Sequence, residues 1–285
     1  VAAQEEPEPA MDSTTPSAVS YASIEEARAA TAVPWYNFWD DPKPIVVDFY
    51  TDWCTWCKTI DTVVLVDSAV IDFFNNEMAL VVINAEVDTA LTKQYHVSGF
   101  PTLVMIEADG NEVDRLVGYL PPEPFLKTFR DYGNGIGTLD DLLNRATTET
   151  DRELYSKIAE KYKYRGGSDD AKIWYQKVVD EGDPLDSLSG ESRLALADMF
   201  RRAKDWEAAL DAYKAVSEDF GDSPTSTNAE IWTAIVYRRS GDTTKAVAGF
   251  EAFIENHPDH ENVEYCRKQI KKLTEPPEEK KDTEG

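Results

Sequence analysis

The chain is poor in the residues that hold metals and build covalent scaffolds: three cysteines, three histidines and four methionines among 285 residues. Three cysteines cannot make a disulfide framework, because at most one pair bonds and one thiol is left over. The length suffices for two domains, each burying its own core. No apolar run approaches the roughly 20 residues of a membrane span, so no segment of the given chain reads as transmembrane. Basic charge is also scarce: 29 Lys and Arg face 54 Asp and Glu, a net charge of -25. The excess is uneven, with 18 acidic against 7 basic side chains in 21–132 and 26 against 19 in 149–275. Such a surface repels nucleic acid and anionic lipid, and neither is expected as a partner.

What the chain does have is a pair of cysteines two residues apart, in "YTDWCTWCKTI", Tyr50 to Ile60. The preceding "PIVVDFY" is β-branched and apolar and reads as a strand buried on both faces. The following "CKTIDTVVLVDSAVIDFFNNE" reads as helix, break, helix. Cys54 then stands where a strand gives way to a helix, beside unpaired backbone N–H groups and the positive end of the helix dipole, both of which favour a thiolate. A zinc half-site would need two more ligands, and only His96, His257, His260 and Cys266 are on offer, none at zinc-finger spacing. A structural bridge across two residues closes too small a loop to stabilise much. Asp48 lies in an apolar run, so its carboxyl should titrate high and be able to accept a proton; a purely structural hydrogen-bonded acid is the alternative.

The alternation continues with strand "ALVVINA", helix "VDTALTKQYHV", strand "PTLVMIEA", a turn at Asp109-Gly110, strand "EVDRLVGY" and helix "PPEPFLKTFRDY". The pattern predicts an α/β domain with a mixed central sheet flanked by helices. The stretch 21–132 resembles a thioredoxin-like domain through Trp53-Cys54-x-x-Cys57-Lys58, the acid Asp48 six residues before Cys54, "GFPT" with Pro101, and Gly118 near the end of the last strand. Within that superfamily it is similar to bacterial envelope proteins such as the terminal domain of DsbD-type electron carriers. Thr55-Trp56 departs from the Gly-Pro of thioredoxin itself, so no redox potential carries over.

The resemblance implies a redox-active Cys54–Cys57 disulfide, with Cys54 the attacking thiol, Cys57 the resolving thiol and Asp48 the proton acceptor. It implies a cis bond before Pro101, so that Phe100 can pair its backbone with an extended client; an ordinary trans proline opening a strand is the alternative. Trp53 and Trp56 flank the thiols and are expected to form an apolar lip for the client, or else to cap the core. No metal or organic cofactor is implied. The partners implied are protein clients carrying disulfides and an upstream dithiol donor.

Residues 133–148, opening "GNGIGTLDD", read as a glycine-rich hinge. Beyond it a pattern repeats. Ala159, Tyr162, Ala171 and Tyr175 recur as Ala197, Phe200, Ala209 and Tyr213, then as Ala234, Tyr237, Ala246 and Phe250. Offsets are 3, 12 and 16 in each copy, and the copies lie 38 and 37 residues apart. This is similar to the tetratricopeptide repeat, antiparallel helix pairs with small residues at the crossings and a period of about 34. The expectation for 149–275 is an all-α solenoid of about three such repeats with a capping helix, whose concave face binds a peptide or protein. Lys163, Arg201, Arg202, Arg238 and Arg239 end the first helices and would form a basic row for an acidic or carboxylate-ended partner, unless they serve only as helix C-terminal cations.

The ends, 1–20 and 276–285, read as disordered. "VAAQEEPEPAMDSTTPSA" reads as a leader behind a removed signal segment, which would place the protein in the bacterial periplasm or otherwise outside the cytoplasm, or as a trimmed end. The function expected is a thiol:disulfide oxidoreductase, acting as a reductase, with the repeats recruiting a client or neighbour. A scaffold whose redox domain only docks, or a disulfide oxidase or isomerase, are the alternatives.

Overall fold

A computed structural model describes residues 18–32 and 43–275. Most of the expected leader and the expected C-terminal end, 276–285, lie outside the described residues. The chain divides into two compact units, Val1–Thr148 with Tyr164–Gly166, and Glu149–Lys163 with Gly167–Gly285.

The first unit is a five-stranded mixed sheet. Strands β1 (Ser20–Tyr21), β2 (Ile45–Tyr50), β3 (Ala79–Asn84), β4 (Thr102–Ile106) and β5 (Glu112–Val117) lie in the order β1-β3-β2-β4-β5. β1 and β2 run parallel to β3; β4 runs antiparallel to both β2 and β5. β2 is central, and period-2 alternation sends its side chains to two cores. Ile45, Val47 and Phe49 pack with Ile24 and Ala27 of helix α1 (Ile24–Thr31) and with Leu91 and Tyr95 around helix α4 (Thr89–Gln94). Val46 packs instead with Ile60 and Val64, with Phe73 and Phe74 of α3 (Ser68–Asn76), and with Phe125 and Phe129 of α5 (Pro122–Gly133). The expected break after the cysteines is real: α2 (Thr55–Thr59) widens into a π-helical turn, Ile60–Val64, and Asp67 then caps α3 through the Ala69 and Val70 N–H groups.

Two boundaries differ from the sequence reading. Ala18 is buried, donating its N–H to the Leu65 carbonyl at 3.0 Å, and Ser20 already pairs with β3, so the end of the expected leader belongs to the sheet. The expected hinge contains a helix, α6 (Leu139–Arg145), capped by Thr138. Buried Asp114 of β5 accepts the Leu139 N–H at 2.7 Å, and Leu139 and Leu142 are themselves buried. A carboxylate facing a helix N-terminus satisfies an otherwise orphaned donor and complements the dipole. The glycines are turn formers: Gly135 and Gly137 have φ +70° and +68°.

The second unit is helical. Its helix pairs are α7 (Arg152–Tyr164) with α8 (Ser168–Asp180), α9 (Ser187–Arg202) with α10 (Trp206–Phe220), and α11 (Pro224–Ser240) with α12 (Thr243–Asn256), closed by α13 (Val263–Thr274). The repeated alanines, Ala159, Ala171, Ala197, Ala209, Ala234 and Ala246, are all fully buried, and Tyr175, Tyr213 and Phe250 fill the space between helices. A small residue at each crossing lets helix backbones approach, and a Cβ built on Gly249 would stand 3.0 Å from that of Ala234. These are tetratricopeptide-like hairpins, as the 38- and 37-residue spacings imply. Cys266, on α13, is fully buried, and burial raises its thiol pKa.

Candidate functional site

The β2 strand ends at Tyr50, and the chain turns so that Cys54 N–H donates to the Thr51 carbonyl at 3.1 Å. Cys54 is the N-cap residue of α2, its Sγ accepting the Cys57 N–H at 3.1 Å. The two cysteines are joined, with S–S 2.08 Å and Cα atoms 5.3 Å apart, and both are buried. When the pair is reduced, a thiolate on Cys54 faces the unpaired N–H groups that open the helix.

Asp48, two residues along β2 from Val46, points to the same face as the redox helix. It is 2% exposed, and its Oδ1 has no hydrogen-bond partner among the described residues. Burial, and secondarily the negative charge of Asp61, push its carboxyl from 3.8 up to about 7. A group poised there takes up and gives back a proton near neutrality. Asp61, missed in the sequence reading, lies on the π-helical turn; burial raises its own carboxyl pKa.

The Phe100–Pro101 peptide is cis. Its loop is braced by the Gly118 N–H on the Pro101 carbonyl at 2.9 Å and by the Thr102 hydroxyl on the Gly99 carbonyl at 2.9 Å. Gly118 has φ +92°, a conformation that suits glycine. Trp53 is 67% exposed, its ring meeting Phe100 edge-on at 5.8 Å and its indole N–H donating to Glu86 Oε1 at 3.0 Å. Trp56, 58% exposed, stacks on Tyr119 at 5.3 Å. Both tryptophans therefore face solvent beside the disulfide, held by aromatic neighbours rather than capping the core. Tyr119 and Glu86 had no sequence signal, since each reaches the site from a distant loop.

The basic row is not free. Arg201 is 8% exposed, ion-paired to Asp198 and stacked 4.6 Å over Trp232. Arg202 binds the same Asp198 at 2.6 Å, Arg238 donates to Gln269, and Lys163 lies over Tyr175 at 5.9 Å. Arg239 is exposed. The row corrects to a set of cations mostly engaged by aromatic, acidic or amide side chains of their own or the following helices. Among the described residues, no group of three or more His, Cys, Asp or Glu is placed to hold a metal. No helix of the described residues is long and apolar enough to cross a membrane.

A disulfide closing the first turn of a helix after a central strand, over a buried acid and beside a loop with a cis proline, defines a thioredoxin-like domain. Residues 5–133 match the family described as thioredoxin-like domain, and 197–273 match a family described as outer membrane lipoprotein. Among curated proteins, the chain is similar to the thiol:disulfide interchange protein DsbD of Pectobacterium atrosepticum, 34% identical over 89 residues, covering 30% of this chain and 15% of that protein. The DsbD of Ralstonia nicotianae is 32% identical over 116 residues, covering 39% and 18%. The chain thus spans less than a fifth of these relatives' length. A solved structure described as a putative disulphide-isomerase from Bacteroides thetaiotaomicron is 30% identical, covering 41% of this chain and 93% of that one, with TM-score 0.34.

Proposed function

We propose that the protein is a thiol:disulfide oxidoreductase of the bacterial envelope that reduces protein disulfides, and that its helical unit recruits a client or a neighbouring protein. The observation that carries this is the Cys54–Cys57 pair at the start of α2, following the strand that bears a buried acid whose carboxyl is raised to about 7. The names of the relatives, a disulfide interchange protein and an outer membrane lipoprotein, support the chemistry and the compartment.

In the reduced chain, Cys54 as thiolate attacks one sulfur of a client disulfide, forming a mixed disulfide and expelling the other client sulfur as thiolate. Asp48 takes the Cys57 proton, and the Cys57 thiolate attacks Cys54 Sγ, releasing the second client thiolate. The client gains two electrons and the chain is left with the Cys54–Cys57 bond. A partner dithiol restores it by the reverse exchange, becoming oxidised itself. Trp53, Trp56 and the Phe100-Pro101 loop hold the client chain. On the helical unit, Arg202 and Arg239 are the cations of the row exposed enough to meet an acidic partner.

The test is turnover of a disulfide peptide by the full chain with a dithiol supply. Cys54→Ser should abolish it, and Cys57→Ser should stop at a mixed disulfide visible by mass. Tight partner binding without any turnover would favour the scaffold reading instead. A reduction potential near -270 mV fits a reductase, and one near -120 mV would make the protein an oxidase.

A further inference from the structure

The loop between β3 and α4 reaches the redox site without belonging to its cysteine motif. Glu86 N–H donates to Asn84 Oδ1 at 3.0 Å, and the Val87 and Asp88 N–H groups donate to the Asn84 carbonyl at 3.0 and 2.9 Å. Asn84 Nδ2 in turn donates to Asp52 Oδ1 at 3.3 Å, and Ala85 N–H to the Tyr50 carbonyl at 2.9 Å, which ties the loop to the turn before Cys54. From this brace Glu86 accepts the Trp53 indole N–H. The donor is a neutral indole, so this bond brings no opposite charge to the carboxylate. Trp53 is held at one side by Glu86 and at another by Phe100, yet two thirds of it stays exposed.

A carboxylate fixed beside an open indole offers a cation two attractions at once, an ion pair and a cation–π contact. An anionic side chain is repelled by the carboxylate and gains nothing from the negative ring face. We propose that Glu86, with the Trp53 ring, is a specificity-determining residue of the redox site, receiving a Lys or Arg side chain close to the client's reactive cysteine. This rests on the reading of Cys54–Cys57 as the reacting pair. The acidic balance of the stretch 21–132, 18 against 7, works in the same direction at longer range and is what the experiment must separate from Glu86 itself.

The probes are three glutathionylated peptides, identical but for Lys, Ala or Glu beside the cysteine, each mixed in single turnover with the pre-reduced full chain. Deglutathionylation consumes the chain's own two electrons, so no other reductant enters. The Lys peptide should react about tenfold faster than the Glu peptide at low ionic strength, with the ratio shrinking in salt. Glu86→Gln keeps an acceptor for the indole and removes the charge; it should lower the Lys-to-Glu ratio at least about threefold. Glu107→Gln makes the same change in net charge after β4, beyond the Ile106 end that pairs with the start of β2, and should leave the ratio unaltered. Equal rates for the Lys and Glu peptides in the wild type, or equal losses in both variants, would overturn the assignment to Glu86. If no peptide reacts, the reading of the cysteines as a reacting pair fails, and this inference with it.

Discussion

Replacing Asp48 by asparagine keeps the side chain's shape and removes its titration, and hydrogen exchange of the oxidised chain can read the difference. The carboxyl's ordinary value is 3.8, and the folded chain raises it to about 7. A raised acid binds its proton more tightly folded than unfolded. Its stabilising contribution is fully present below about pH 4 and is lost as pH rises through 7. At about 1.36 kcal/mol per pKa unit the whole span is about 4 kcal/mol, of which about 2.5 kcal/mol falls between pH 5 and pH 8. The amides of β2 and β3, paired with each other inside the sheet, report the free energy of its opening. After correction for intrinsic exchange, the wild type should lose about 2.5 kcal/mol more than Asp48→Asn across this interval. Parallel curves for the two proteins would refute the claim that burial lifts the Asp48 carboxyl to near neutrality.

Two other substitutions test the packing. Ala234→Leu puts bulk where α11 crosses α12, against the backbone at Gly249; overpacking should cost about 1–3 kcal/mol, read from the thermal loss of helical circular dichroism. Asp114→Asn weakens the carboxylate that caps α6, and the Leu139 amide should lose protection by about 1–2 kcal/mol.

The sequence showed the central features because they are local. An apolar run ending in a cysteine pair marks a strand-to-helix junction by itself, and the alanine and aromatic offsets mark helix crossings without any knowledge of their partners. Asp61 was hidden because its influence on Asp48 depends on the π-helical turn at Ile60–Val64, which no simple period reveals. The hinge was misread because Gly135 and Gly137 resemble linker glycines, while the group that orders the following helix, Asp114, lies on a strand 25 residues before Leu139. The engagement of the basic row was hidden in a similar way. Asp198 stood within reach of Arg201 and Arg202 in sequence, but the ring that covers Arg201, Trp232, comes from the next hairpin.

The burial of Cys266 has a practical consequence for thiol counting. An alkylating reagent applied to the reduced chain in native buffer should label the activated Cys54 thiolate and leave Cys266 untouched, whereas the same reagent in denaturant should label all three thiols. The label on Cys266 gives each sample an internal standard for how much of the helical unit is unfolded, and the native label on Cys54 can then follow the redox state of the pair without altering a residue.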